Sequence, residues 1–165
     1  MPKTRKYNDE NLVAMFRLAA NLRKQMIHAG FTDNGGAIHS AERILHLLGQ
    51  RLCFPELAHL NNLRKLPNAP FSEAALLAHQ KGEPVFIEHV NPHRALTRLA
   101  IEWIESGRSD EEFRSLVKEH YQLALLTHEE TVRLNRLNRT KIETDRLGRA
   151  GIKLASGASI EASSR

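Results

Sequence analysis

The amino-acid sequence predicts an α+β fold that is mostly helical, with a small two-stranded β element, a ββα-like unit, in the C-terminal half. Apolar residues recur at three- and four-residue spacing along much of the chain, a pattern typical of amphipathic helices. EPVFIEHV (83–90) is rich in β-branched and aromatic residues and is flanked by turn-forming Gly and Asn-Pro, so it is predicted to be a strand. QLALL (122–126) is apolar and precedes a helix start, which favours a second strand.

Helix start and stop signals divide the rest of the chain. A long amphipathic helix is predicted over residues 9–29 and a second over residues 38–52, with the turn-rich loop FTDNGG between them. Capping boxes at Ser109–Glu112 and Thr127–Glu130 each predict a new helix. The remaining segments predicted as helical are ELAHLNNLRKL, EAALLAHQK, HRALTRLAIEWIES, FRSLVKEHY and TVRLNRLNR.

The rigid connector PNAP (67–70) predicts a division of the chain into lobes. Residues 1–66 are expected to form an N-terminal helical lobe, and residues 71–147 a ββα-like lobe with a helical insert. Residues 148–165 are small and polar, which predicts a flexible tail.

Composition excludes several classes of protein. The chain has 165 residues and 41% hydrophobic residues, which suits one domain, or one domain with a tail. Cys53 is the only cysteine, so a disulfide framework and a cysteine-based zinc site are excluded. No apolar run reaches 18 residues and no apolar stretch follows the basic N-terminus, so neither a membrane span nor a secretory signal is predicted. We therefore expect a cytoplasmic protein that does not enter membranes.

Positive charge is concentrated near the C-terminus. The whole chain has 24 basic and 19 acidic residues, a net charge of +5, and the window 133–153 alone supplies seven basic and two acidic residues. Clustered arginine is typical of a polyanion partner, because each phosphate contact releases condensed counterions. The alternatives are a solvated helix end followed by a flexible tail, or a surface for an acidic protein. The residues expected to bind nucleic acid are Arg133, Arg136, Arg139, Lys141, Arg146 and Arg149.

An acid–histidine pair lies at the end of the first predicted strand, and a second strand and a polar helix follow later. The segments that carry this pattern are FIEHVNP (86–92) and QLALLTHEETVRLN (122–135). The pattern resembles the HNH, or ββα-metal, nuclease family. In that family the first strand ends in an Asp-His or His-His pair, then a hydrophobic residue and, two residues later, a proline. Glu88-His89-Val90-Asn91-Pro92 follows this order.

The resemblance implies a metal-dependent DNA endonuclease in which His89 is the general base and Glu88 binds a divalent cation, Mg²⁺ or Mn²⁺. An imidazole can accept a proton from water near neutral pH, and a divalent cation stabilises the leaving oxygen of a phosphodiester. Thr131 stands where the family has its final histidine ligand, so Glu130 or His128 would have to replace it as the metal ligand. The simpler interpretations are a surface hydrogen bond for the acid–histidine pair and helix capping for Glu130.

Two hypotheses of different classes therefore remain. The first is an HNH-type nuclease with an intact site. The second is a non-catalytic helical DNA- or protein-binding regulator or inhibitor, of the kind carried by mobile elements or phages, which could also act as a homodimer or with a protein partner. Convergence of Glu88, His89 and a ligand from 128–130 would favour the first hypothesis. His93, in the first turn of the helix after Pro92, is expected to be exposed.

Overall fold

The computed structural model describes residues 8–155 and is mostly helical, with one two-stranded antiparallel sheet, so the predicted α+β class is confirmed. A π-helical turn (Asp33–Ala37) and a 3₁₀-helix (Leu60–Lys65) supplement the α-helices, and the latter is all that forms of the predicted helix ELAHLNNLRKL. The strands are β1 (Phe86–His89) and β2 (Leu123–Leu126). The α-helices are α1 (Asp9–His28), α2 (His39–Cys53), α3 (Glu73–Gln80), α4 (His93–Glu105), α5 (Asp110–His120), α6 (His128–Asn135) and α7 (Arg146–Arg149).

The described chain divides into two compact units that differ from the predicted lobes. Unit 1 contains the described residues up to Pro55 together with Thr97–Lys118, and unit 2 contains Glu56–Leu96 and the described residues from Glu119 onward. The prediction placed residues 97–118 with the ββα-like lobe. Their apolar face instead packs on the N-terminal helices, where the ring of Phe113 stacks on that of Phe16 at 4.9 Å, both fully buried.

Unit 1 is built on the antiparallel pair α1 and α2. The predicted α1 start is correct, because Asn8 and Asn11 form a reciprocal capping box through side chain and backbone. The loop between the helices is the turn that FTDNGG predicted. Its Thr32 hydroxyl accepts a hydrogen bond from the amide of Gly35 at 2.9 Å, and Gly36 takes a positive φ of 106° that favours glycine.

A buried ion-pair cluster ties this loop to two helices of unit 1. The guanidinium of Arg23 in α1 donates to both carboxylate oxygens of Asp33 at 2.8 and 2.9 Å. Arg98 in α4 donates to the same carboxylate at 3.0 Å. The side chain of Asp33 is only 9% exposed, and the hydrogen bond from Arg23 holds the pKa of its carboxyl below the ordinary value, against the effect of burial.

Unit 2 surrounds the small sheet. The side chains of β2 are all buried, and a hydrophobic cluster joins the strands to α6 and to the chain around α7. Ile152 is 5% exposed, and the amide of Ala155 donates to the carbonyl of Phe71 at 2.9 Å. The prediction of a flexible tail from residue 148 is therefore wrong for residues 148–155, because a few apolar side chains suffice to pack this segment on the core. The rest of the predicted tail, 156–165, lies outside the described residues.

No helix among residues 8–155 is long and apolar enough to cross a membrane.

We expect Asp33→Asn to lower the free energy of unfolding at pH 7 by about 1–3 kcal/mol, because it weakens charge-assisted hydrogen bonds from two arginines. The pKa of Asp33 is lowered in the folded protein, so its contribution is complete above the ordinary value of 3.8 and is lost as the pH falls through the lowered pKa. Urea denaturation of the wild type and of Asp33→Asn at pH 7 and pH 3 measures this effect. The difference between their free energies of unfolding should be smaller at pH 3 than at pH 7.

The matched control for this prediction is Asp110→Asn. Asp110 pairs with Arg17, but both side chains are well exposed, so we expect a loss below about 1 kcal/mol. Equal losses from the two variants at pH 7 would contradict the role assigned to the Asp33 cluster.

Candidate functional site

The acid–histidine pair lies where the sequence predicted, at the end of β1. The antiparallel register pairs Glu88 with Ala124 and His89 with Leu123 across the two strands. Helix α6 begins two residues after β2 and packs on both strands. The strand–strand–helix order is therefore present, and the long insert between the strands consists of α4 and α5.

Glu88 is half-buried at this strand end and faces α6 and the segment that follows it. Burial raises the pKa of its carboxyl above the ordinary value, while the neighbouring Thr131 hydroxyl and the positive charge of Arg139 act in the opposite direction. Thr131 thus lies beside Glu88, as the alignment with the HNH pattern placed it. A threonine hydroxyl can bond to the carboxylate, but it is a poor ligand for a divalent cation compared with histidine.

His89 belongs to a small group of rings at the start of α4. Its imidazole stacks on that of His93, with ring centroids 4.7 Å apart, and meets the ring of Tyr121 edge-on at 5.4 Å. His93 is therefore half-buried and stacked, so the prediction that it is exposed is wrong. The bend at residues 90–92, between the end of β1 and the start of α4, brings the two histidines together.

Two side chains hold the turn between β1 and α4 through hydrogen bonds to backbone carbonyls. The amide nitrogen of Asn91 donates to the carbonyl of His120 at 3.0 Å. Arg146, in α7, donates from Nε to the carbonyl of Val90 at 2.7 Å and from Nη1 to the carbonyl of Asn138 at 2.6 Å. Asn91, which lies two residues before the start of α4, is thus a structural residue.

Glu130 has a structural role, and its carboxylate is therefore not available as a metal ligand. It is 4% exposed, and one of its carboxylate oxygens accepts from the hydroxyl of Ser72 at 2.5 Å and from the amide of Thr127 at 3.0 Å. The capping box predicted at Thr127–Glu130 is therefore confirmed. The same carboxylate also joins α6 to the start of α3, whose N-cap is Ser72.

The remaining candidate ligand, His128, is exposed and lies edge-on to the ring of Phe86 at 6.1 Å. Within residues 8–155, no three His, Cys, Asp or Glu side chains come together in a group that could hold a metal ion. The ligand set of Glu88, Glu130 and His128 does not form, and the residues present at the strand end do not fit a divalent cation site.

The basic residues divide into two groups by the contacts that they make within the protein. Arg146 is 3% exposed, so its predicted nucleic-acid contact is wrong. Arg133 donates from Nε to the carbonyl of Ala150 at 2.9 Å, and Arg149 pairs with Glu143 at 2.7 Å. Arg149 is nevertheless exposed, as are Arg136, Arg139 and Lys141, which make no contact of this kind among the described residues.

These exposed cations lie beyond α6, which ends at Asn135, so the predicted helix TVRLNRLNR is shorter than expected. Arg136 is its C-cap, and the next residues form a turn in which Asn138 Oδ1 accepts from the amide and the hydroxyl of Thr140 at 2.8 and 2.7 Å. Arg146 donates a hydrogen bond to the carbonyl of Asn138. The cationic segment 136–141 is therefore a hydrogen-bonded loop.

Tyr121 and Arg139 have roles at the strand end that the sequence analysis did not find. The signal for Tyr121 was available: it lies two residues before Leu123, the partner of His89, and side chains two apart share a face of a strand. No sequence pattern indicates that Arg139 approaches Glu88, because that approach depends on how the loop after α6 turns.

Comparisons of the chain with protein-family models, curated proteins and solved structures found no match.

Removing the charge of Arg139 should raise the pKa of Glu88 further above its ordinary value of 4.5, because that charge favours the ionised carboxylate. We expect this upward shift in Arg139→Gln, measured by NMR titration of the glutamate side-chain carbons. Arg136→Gln is the matched control, since Arg136 does not contribute to the electrostatic environment of Glu88. A Glu88 pKa that is equal in the wild type and in Arg139→Gln would contradict this geometry.

Proposed function

We propose that this protein is a non-catalytic nucleic-acid-binding protein that contacts the phosphate backbone of DNA through the loop 136–141. The observation that carries the proposal is the exposure of Arg136, Arg139 and Lys141 on one short hydrogen-bonded loop. Cations on a preorganised loop lose less conformational freedom on binding than cations on a mobile segment. The ββα-like unit would act as the scaffold for this loop.

The electrostatics of the loop support a polyanion as partner. The chain carries a net charge of +5, and the window that contains the loop holds the local excess of arginine and lysine. The two acids of that window both have partners elsewhere in the protein. Glu143 pairs with Arg149, and Asp145 caps α7 by accepting from the amide of Gly148. The three exposed cations are therefore not neutralised by these neighbouring acids.

The chemistry of the strand end supports a role without catalysis. The Glu130 carboxylate already accepts two hydrogen bonds from the protein, and Glu88 faces a threonine where a metal ligand would be needed. Rearranging Glu130 to bind a metal would leave the Ser72 hydroxyl buried without this partner, which costs about 1–3 kcal/mol.

A variant with Arg136, Arg139 and Lys141 all replaced by glutamine should bind duplex DNA at least about tenfold more weakly at low salt. The slope of log affinity against log salt should fall in magnitude by up to about 3, because each phosphate contact contributes roughly 0.9. Fluorescence anisotropy with a labelled duplex at several salt concentrations measures both quantities.

The matched control replaces three exposed lysines on other elements, Lys24, Lys65 and Lys81, by glutamine. It removes the same formal charge, so a loss equal to that of the loop variant would show a non-specific charge effect and contradict the proposal. Unchanged binding and slope in the loop variant would contradict it as well, and would favour an acidic protein as the partner of this surface.

The second candidate function is the HNH-type nuclease, and the observation that favours it is Glu88-His89 at the end of β1, followed by α6 in the ββα order. We expect no cleavage of plasmid DNA by the purified protein with Mg²⁺, Mn²⁺, Ni²⁺ or no metal. Agarose gels of these reactions, with His89→Ala beside the wild type, test this. Metal-dependent nicking that disappears in His89→Ala would overturn the non-catalytic proposal and establish the nuclease.

A further inference from the structure

An apolar groove of about 540 Å³ runs along the outer face of the α1–α2 pair in unit 1. On α1 it is lined by Met15, Leu18 and Leu22, and on α2 by Ile44 and Leu47. The three α1 side chains follow one another at three- and four-residue spacing, so they form one stripe on the helix surface.

The stripe is too exposed to serve the core of unit 1. Met15 is 45% exposed, Leu18 60% and Leu22 47%, while the α1 residues that face inward, such as Phe16, are buried. Contiguous apolar surface of this kind on a folded protein marks an interaction site more often than an accident of composition. The groove therefore needs an occupant.

We infer that the occupant is a second copy of this chain, which packs its own α1–α2 face against this one in an antiparallel, two-fold dimer. Leu18 is a projecting ridge and the space between α1 and α2 is a groove, so the same surface supplies both parts of a self-complementary contact. Two helical hairpins that meet in this way form a four-helix arrangement with helices about 20° from parallel.

The position of the stripe along α1 fits a two-fold axis. Helix α1 runs from Asp9 to His28, so its midpoint falls just after Leu18. Met15 and Leu22 lie at equal distances on either side of that midpoint. An antiparallel partner therefore places Met15 of one copy against Leu22 of the other, with the two Leu18 side chains adjacent to the axis.

The α1 residues that border the stripe are uncharged. On its outer side α1 presents Ala14, Asn21 and Gln25, which are exposed and uncharged. Identical copies can therefore approach along this edge of α1 without like-charge repulsion, and the charge nearest the groove on α2 is the exposed Arg43, one turn before Leu47.

The segments of this chain outside the described residues do not supply the occupant. Among residues 1–7 and 156–165, the large apolar side chains are Met1, Tyr7 and Ile160, and they do not form a stripe at helical spacing. The available area fits a reversible dimer. A 20-residue helix is about 30 Å long and two adjacent helices are about 20 Å across, so each copy offers on the order of 600 Å². This is somewhat below the roughly 800 Å² per partner of a standard interface.

Sedimentation equilibrium of the full chain, without nucleic acid and from micromolar to near-millimolar concentration, tests the dimer. The average mass of the wild type should rise with concentration from the monomer mass of 18.7 kDa towards twice that value, and Leu18→Glu should stay monomeric. Leu77→Glu, on α3 in unit 2, is the matched control, because Leu77 is 58% exposed and should leave the dimer unchanged. A wild-type protein that is monomeric throughout, or a Leu18→Glu variant that still dimerises, would overturn the proposal.

Cysteine cross-linking in a Cys53→Ser background tests the antiparallel arrangement. Leu18→Cys alone should form a covalent dimer on mild oxidation, and Met15→Cys should do so only when it is mixed with Leu22→Cys. Efficient self-linking of Met15→Cys would indicate a different partner geometry and overturn the proposal. Circular dichroism of each variant establishes that loss of the dimer is not loss of the fold.

Discussion

The buried guanidinium of Arg146 is the interaction on which the candidate site depends. It is 3% exposed, and it donates to the carbonyl of Val90, next to the acid–histidine pair, and to that of Asn138, in the cationic loop. Burial lowers the pKa of this group, but an arginine stays charged in a protein, so its charge must be solvated by the chain itself. Two backbone carbonyls provide that solvation, and in doing so they are fixed relative to each other.

The Arg146 guanidinium therefore has the structural role in this unit that a bound cation has in other small folds. A positive charge at the centre of irregular backbone gathers carbonyl oxygens that neither helix nor strand satisfies. The result is a loop whose backbone is held by an internal positive charge. The same reasoning explains why Glu130, also buried, accepts hydrogen bonds from Ser72 and Thr127. Each buried charge in this unit holds together segments that are distant in sequence.

The sequence was sufficient for both strands and for most helix starts, but not for the 3₁₀-helix Leu60–Lys65, for α7 or for the site. Capping boxes and turn residues located the helix starts and the turn after α1, because these signals act over three or four residues. The two strands followed from β-branched composition and from the capping box after QLALL. The sequence did not reveal that residues 97–118 belong with the N-terminal helices. That assignment depends on which surface the apolar face of α4 and α5 meets.

The candidate site shows the same division between local and long-range information. Glu88 and His89 were found because they are adjacent in sequence and end a strand. The separation of exposed from structural arginines was not predictable. Arg133, Arg146 and Arg149 carry the same charge as Arg136 and Arg139, and only their contacts within the protein distinguish them. A count of charges in a sequence window therefore overstates the surface that a partner can meet.

The order of the two units along the chain has a consequence for synthesis on the ribosome. The strands β1 and β2 are joined by α4 and α5, so the small sheet cannot pair until the chain has grown past Leu126. Unit 1 likewise needs residues up to Lys118 before Phe113 can reach Phe16. Unit 1 has all its residues once Lys118 has been made, whereas unit 2 also needs the chain from Glu119 onward. Glu56–Leu96 therefore waits for the second strand while the last segment of unit 1 is made, and its apolar side chains stay without their partners through that interval.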